Sequence, residues 1–339
     1  MEFTENLRKL LQVEEHLSLD TRLKINEHAK NLLNDLTPSI AAFLNEDLDA
    51  DKHSEDDVRN MIQSNRNALA YDKDLADLPI QRASRTLKNA HFIPVFAEEG
   101  SKHNIGGEGM RGGLLCKRNS DGGLNTLQYL VMCNAIDQNF DDNNAQGTYV
   151  GIFTKLRELN LFHKDDIRKH DLLWWSGMNF MKPKNGAIFE YLVNWDPIAM
   201  KERDNRGRTL LHRFAIDAPL DVFLTKFKAG LKQFPDGLGL LFEKGNNGNS
   251  VLLTVREHYG YYTPLYWSYH WKLIERCLEE QGSKILRKNP KNNTYPFMLA
   301  ASGDTSDLDT LYCLLRWDPM VLNSAIKREQ PECKKRRHS

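Results

Sequence analysis

Apolar residues along much of this chain fall at three- and four-residue steps, the spacing of one face of an α-helix. Leu7, Leu10 and Leu11, then Ile25, Ala29, Leu32, Leu33 and Leu36, mark helices within residues 5–45. Leu220, Phe223, Leu224, Phe227 and Leu231 stripe a further helix, as do Leu308, Leu311, Leu314 and Leu315. A longer rhythm lies over this one. Asp77-Leu78-Pro79-Ile80-Gln81-Arg82-Ala83, Asn125-Thr126-Leu127-Gln128-Tyr129-Leu130 and His170-Asp171-Leu172-Leu173-Trp174-Trp175 are weak copies of one phrase. Arg208-Thr209-Leu210-Leu211-His212-Arg213, Asn249-Ser250-Val251-Leu252-Leu253-Thr254 and Thr294-Tyr295-Pro296-Phe297-Met298-Leu299-Ala300-Ala301 continue it. The aligned positions Ile80, Leu127, Leu172, Leu211, Leu252 and Phe297 are 47, 45, 39, 41 and 45 residues apart. Self-similarity at that period predicts stacked helical units in place of one globular core.

Each unit reads as two helices. In the fourth, Thr209 offers a cap, Leu210, Leu211, Phe214 and Ala215 form a short apolar face, and Asp217-Ala218-Pro219 breaks the chain before the second helix. In the sixth, Ser302-Gly303-Asp304 makes the corresponding break. Tyr191-Leu192-Val193-Asn194-Trp195-Asp196-Pro197 resembles Leu314-Leu315-Arg316-Trp317-Asp318-Pro319, with a tryptophan ending a second helix and a proline stopping it. Polar turns at Asp204–Thr209, Asn246–Ser250 and Asn289–Asn293 deliver the next phrase. Asn45–Asp57 is acidic, lacks periodicity and reads as an exposed linker. The expected architecture is therefore all-α: a helical N-terminal segment over 1–60, a helical-repeat solenoid of about six units over 61–325, and a basic tail over 326–339.

The turn and phrase from Asp204 to His212, D-N-R-G-R-T-L-L-H, resemble the ankyrin repeat, whose signature is a turn with Gly followed by T-P-L-H-x-A. Leu78-Pro79-Ile80-Gln81-Arg82-Ala83 and Tyr295–Ala300 fit the same frame, and the resemblance spans residues 65–325. The chain resembles the long-period, divergent ankyrin-like proteins expanded in unicellular algae. The chain departs from the pattern in three ways. The ankyrin period is about 33 residues, proline is missing from four of the six phrases, and only His212 fills the histidine position. Gln81, Gln128, Leu173, Leu253 and Met298 stand there in the other units. Helix pairs of the TPR or HEAT kind remain open on these grounds. Thr263-Pro264-Leu265-Tyr266 offers a competing register and is read as the start of a second helix.

Composition narrows the functional classes. Hydrophobic residues make up 40% and charged residues 27%, which suits a folded chain. Lys+Arg 46 balances Asp+Glu 46, so the whole molecule has no net attraction to nucleic acid or anionic lipid. Residues 1–60 carry 14 acidic against 7 basic side chains. In the tail, Lys327-Arg328 and Lys334-Lys335-Arg336-Arg337 resemble a nuclear-import signal. The start, MEFTENLRKLLQVEEH, has no secretory-signal pattern, and no stretch of 18 apolar residues occurs. The five cysteines have no C-x-x-C spacing, which points to a reducing, cytoplasmic or nuclear setting.

Candidate chemistry is sparse. Gly107-Glu108-Gly109-Met110-Arg111-Gly112 matches G-x-G-x-x-G, but a phosphate loop needs a strand before it and a helix after it. The segment before it, Phe92–Gly100, reads as a helix. Asp47-Leu48-Asp49-Ala50-Asp51 starts like a calcium loop, yet Lys52 and Val58 occupy the positions that require Gly and Glu. His91, His103, His163, His170 and His212 are scattered over different units and form no zinc-type spacing. No catalytic residue, cofactor or metal ligand is therefore expected, and no small-molecule substrate or membrane contact. The aromatic run from Tyr259 to Trp271 and the pair Trp174-Trp175 divide between core and surface.

The resemblance implies a non-enzymatic scaffold that binds another protein along the first helices and turns. The turns Lys201–Arg208, Lys244–Asn249 and Lys288–Asn293 combine basic residues with Asn, so the expected partner surface is acidic. The alternatives are an enzyme holding a phosphate on residues 105–113 and a nuclear regulator acting through the tail.

Overall fold

In a computed structural model, the described residues are 18–44, 48–70, 78–105, 114–118, 123–132, 142–177 and 186–260, with 272–278, 280, 298, 301, 311, 312 and 315 beyond them. Among them the chain is helical, and the β-type pairings are isolated bridges, Arg118 with Asn125, Arg203 with Thr209 and Lys244 with Ser250. The Gly-rich run, most of the 259–271 aromatic stretch, most of the sixth phrase, the 288–293 turn and the basic tail lie outside the described residues. The chain divides into two compact units, Met1–Asp196 and Pro197–Ser339.

The first unit opens with α1 (Leu19–Ala42), capped by Ser18, whose hydroxyl accepts the Thr21 N–H. Its last turns bury Thr37, Ala41 and Leu44, whereas Leu19, Leu23 and Leu36 are exposed. The acidic stretch that follows differs from the expected linker. Leu48 is buried, and Lys88 reaches Asp51 at 2.7 Å and Asp49 at 3.7 Å. Its last three acids are the first turn of α2 (Glu55–Ser64), where they meet the positive end of the helix dipole. Ser54 and Asp57 close a capping box there.

The rest of the unit forms two layers. One holds α3 (Pro79–Ala83), α6 (Thr126–Met132) and α9 (Leu172–Gly177); the other holds α5 (Ile93–Lys102), α7 (Asp142–Glu158) and α10 (Gly186–Trp195). Short helices α4 (Leu87–Ala90) and α8 (Lys164–Lys169) lie in the connections. Within the first layer α3 packs on α6 and α6 on α9; within the second α5 packs on α7 and α7 on α10. Between layers α3 packs on α5 and α9 on α10. The phrase positions fill the space between neighbours: Ile80, Leu127 and Leu172 are all fully buried.

The Trp-Asp-Pro ending has a physical basis at its first copy. Trp195 lies 4.9 Å from the Phe162 ring, with the Arg157 guanidinium 4.8 Å from its own ring centre. Buried Asp196 forms an ion pair with Arg168, Oδ2 to Nε 3.1 Å, and Pro197 begins a turn of 3₁₀ helix.

In the second unit α11 (Leu210–Asp217) packs on α12 (Leu220–Gln233) and on α13 (Val251–Gly260), with Leu211 and Leu252 fully buried. A 3₁₀ segment, Pro235–Leu240, lies close along α12. Contact is tight at Gly230, where a Cβ would stand 2.7 Å from the Gly239 carbonyl oxygen. Tyr259 donates its hydroxyl to the Ala218 carbonyl, and burial pushes the phenol up to about 12.

Candidate interaction surface

A single local device recurs at the start of these helices. The side chain three residues after the cap turns back and accepts the cap residue's N–H: Gln81 from Leu78 at 2.9 Å, Gln128 from Asn125 at 3.0 Å, His212 from Thr209 at 3.3 Å. Asp57 and Asp166 do the same for Ser54 and His163. A carboxylate ends there, because it has nothing to donate. Glutamine and neutral histidine also carry an N–H on the far side. Gln81 donates to the Lys117 carbonyl at 2.8 Å, Gln128 to His170 at 3.0 Å and His212 to Asn249 at 3.1 Å. Each of these carbonyls lies 36 to 42 residues further along the chain, at or shortly before the start of the next phrase. The residue type at this position therefore decides whether a cap also ties one helix pair to the next.

The His212 ring is assigned by this geometry. A carbonyl only accepts, so Nε2 carries the hydrogen and Nδ1 faces the Thr209 N–H and hydroxyl, the latter at 2.7 Å. Burial pushes its pKa below the usual imidazole value; the Arg203 charge adds to this, and the Asn249 carbonyl opposes it. The ring stays neutral and structural.

Two turns of the second unit lie against each other. In the first, Asp204 accepts the Arg206 and Arg208 N–H groups at 2.9 and 2.8 Å and the Arg208 Nε at 2.9 Å. Burial pushes the Asp204 carboxyl up, but these donors together hold it below the usual range. A bridge pairs Arg203 with Thr209, and Gly207, at φ +72°, closes the turn onto the Asp204 carbonyl at 2.8 Å. In the second turn a bridge pairs Lys244 with Ser250, and Gly248, at φ +82°, closes onto Gly245 at 3.0 Å. Arg203 spans the two, donating through Nη1 to the Gly207 carbonyl at 2.8 Å and the Lys244 carbonyl at 2.6 Å. A Cβ on Gly207 would run into the Asn246 side chain at 1.8 Å.

Beside these turns a cleft of about 260 Å³ opens between α11 and α13, lined by Arg208, His212, Ile216, Asn247, Thr254, Glu257 and His258. Asn249 donates to Glu257 at 3.0 Å, which fixes the acid at its rim. Cofactor and drug-sized sites run to about 300–1,000 Å³.

Of the three basic turns expected from sequence, the first two are brought together here and the third lies outside the described residues. Their arginines are not equivalent. Arg203 and Arg208 hold the turns in shape, whereas exposed Arg206 projects from the tip and Lys201 covers the Phe234 ring at 4.6 Å. Trp174 is buried and Trp175 half-buried. The Gly-rich run is preceded by helix α5 and followed at residues 114–118 by turn and bend, so its described flanks lack the strand and helix of a phosphate loop.

Sequence spacing gave no metal ligands, yet the fold brings Cys116, Asp166 and His170 together, with their ligating atoms all within 4.8 Å of one another. The thiol comes from a segment 50 residues away from the acid, beyond the reach of any short motif. Only the i, i+4 spacing of Asp166 and His170 was there to be noticed.

No protein-family model, no curated protein and no solved structure matches this chain.

Proposed function

We propose that the chain is an array of ankyrin-like helix pairs stacked as a solenoid, and that it works as a non-enzymatic scaffold for another protein. The observation that carries this reading is the repeated cap-and-bridge of Gln81, Gln128 and His212. A device that joins three of the helix pairs to the start of the next belongs to an array built by neighbour-on-neighbour stacking. Such an array leaves its turns and first helices open to a partner, and the cleft beside His212 lies on that side. The exposed charge at Arg206 and Lys201 fits an acidic partner surface, acting chiefly on the association rate.

Affinity purification of the tagged full-length protein from its native cells tests this reading. A near-stoichiometric partner that is lost with Arg206→Glu is the expected result. A preparation without any co-purifying protein, or a partner indifferent to Arg206→Glu, overturns the proposed surface.

A further inference from the structure

We propose that Cys116, Asp166 and His170 form a binding site for a divalent transition-metal ion of the zinc class. The three ligating atoms converge from two separate segments to within 4.8 Å of one another, with Asp166 buried and Cys116 and His170 half-buried. Thiolate, carboxylate and imidazole in one place favour zinc or cobalt over the oxygen-seeking calcium and magnesium. With Zn–S near 2.3 Å and Zn–N or Zn–O near 2.0–2.1 Å, the ligand edges of a tetrahedral site are roughly 3.3–3.6 Å. The cluster therefore has to close by up to about 1.2–1.5 Å to reach tetrahedral spacing. Three protein ligands leave the fourth position to water or an outside group.

The surroundings are organised around the histidine. Asn125 Oδ1 accepts the Gln128 N–H at 2.9 Å, so its Nδ2 is the atom 3.0 Å from His170 Nδ1, while Gln128 holds the His170 carbonyl. The ring thus has Nδ1 accepting and the hydrogen on Nε2. Coordination through Nε2 moves the ring hydrogen to Nδ1, which then needs an acceptor, and the thiol proton leaves to solvent as the sulfur–metal bond forms. Asp166 accepts the His163 N–H through Oδ2 at 2.8 Å, and one of its carboxylate oxygens lies within the cluster. The ion would fasten the segment before α6 to the one before α9.

Cobalt(II) and then zinc alone are titrated into full-length protein stripped with a chelator. One equivalent per chain is expected, with a thiolate-to-cobalt absorption band and a raised melting temperature. Cys116→Ser should abolish the band and weaken binding at least tenfold, and Asp166→Asn should weaken it similarly. Asn125→Asp, which presents an acceptor to Nδ1, should tighten binding. Melting in chelator shows whether each variant still folds. The site is overturned if no stoichiometric binding is seen, or if Cys116→Ser and Asp166→Asn, folded, bind as the parent does.

Discussion

At the scale of single residues, the structure turns on side chains that use two polar ends at once. His212 accepts at Nδ1 from its own cap and donates from Nε2 to Asn249, work that Gln81 and Gln128 do with an amide. This equivalence gives a pH prediction. The folded pKa of His212 is depressed below the ordinary 6.5, so acid protonates the unfolded chain first. Its contribution to stability is complete above about pH 6.5 and drains away as pH falls towards the folded value. His212→Gln keeps both hydrogen bonds and cannot titrate. In thermal melts at pH 8 and pH 5.5 the variant should lose less stability on acidification than the parent, while differing from it by about 1 kcal/mol or less at pH 8. Equal acid sensitivity in the two proteins would count against the neutral, bridging ring. Leu211, fully buried beside it, tests the apolar register. Leu211→Asp leaves an unpaired buried charge and should cost roughly 3–5 kcal/mol in denaturant unfolding.

At the scale of elements, the sequence was readable wherever local patterning and burial agree. The 3.6-residue stripe marked α11 and α12, and the aligned phrase positions Ile80, Leu127, Leu172, Leu211 and Leu252 are all fully buried. The acidic stretch misled because charge alone does not separate a solvated linker from the first turn of a helix. Glu55, Asp56 and Asp57 are charged and aperiodic, yet the capping box of Ser54 and Asp57 makes them a helix start. Contacts between distant segments left no local trace, which is why the Cys116 cluster and the Arg203 bridge were not legible. Neither was the close approach at Gly230, where a small residue inside a helix looks like a defect. Gly230→Ala, normally a helix-favouring change, should here push Pro235–Leu240 off α12 and destabilise by about 1–3 kcal/mol. A gain in stability for this variant would show that the two segments are not packed as described.

At the scale of the whole molecule, the proposed scaffold needs its turns held in fixed shape. Substitutions at Arg203 and Arg206 separate shape from the proposed binding, because both are exposed cations in one turn with different attachments. Arg203→Ala removes the hydrogen bonds to the Gly207 and Lys244 carbonyls, and should lower stability by about 1 kcal/mol. Arg206→Ala leaves those bonds in place and should change stability by less than about 0.5 kcal/mol. Against the proposed partner the order should differ. Arg206→Ala should slow association, with the difference from parent shrinking as salt is raised, because a charge at the rim steers encounter. Arg203→Ala should speed dissociation as well, since the second turn is no longer held over the first. Unfolding curves and association kinetics on the same two variants decide the matter. If Arg206→Ala binds like the parent at low salt, the turn tips are not where the partner docks, and the cleft between α11 and α13 would have to bind it without them.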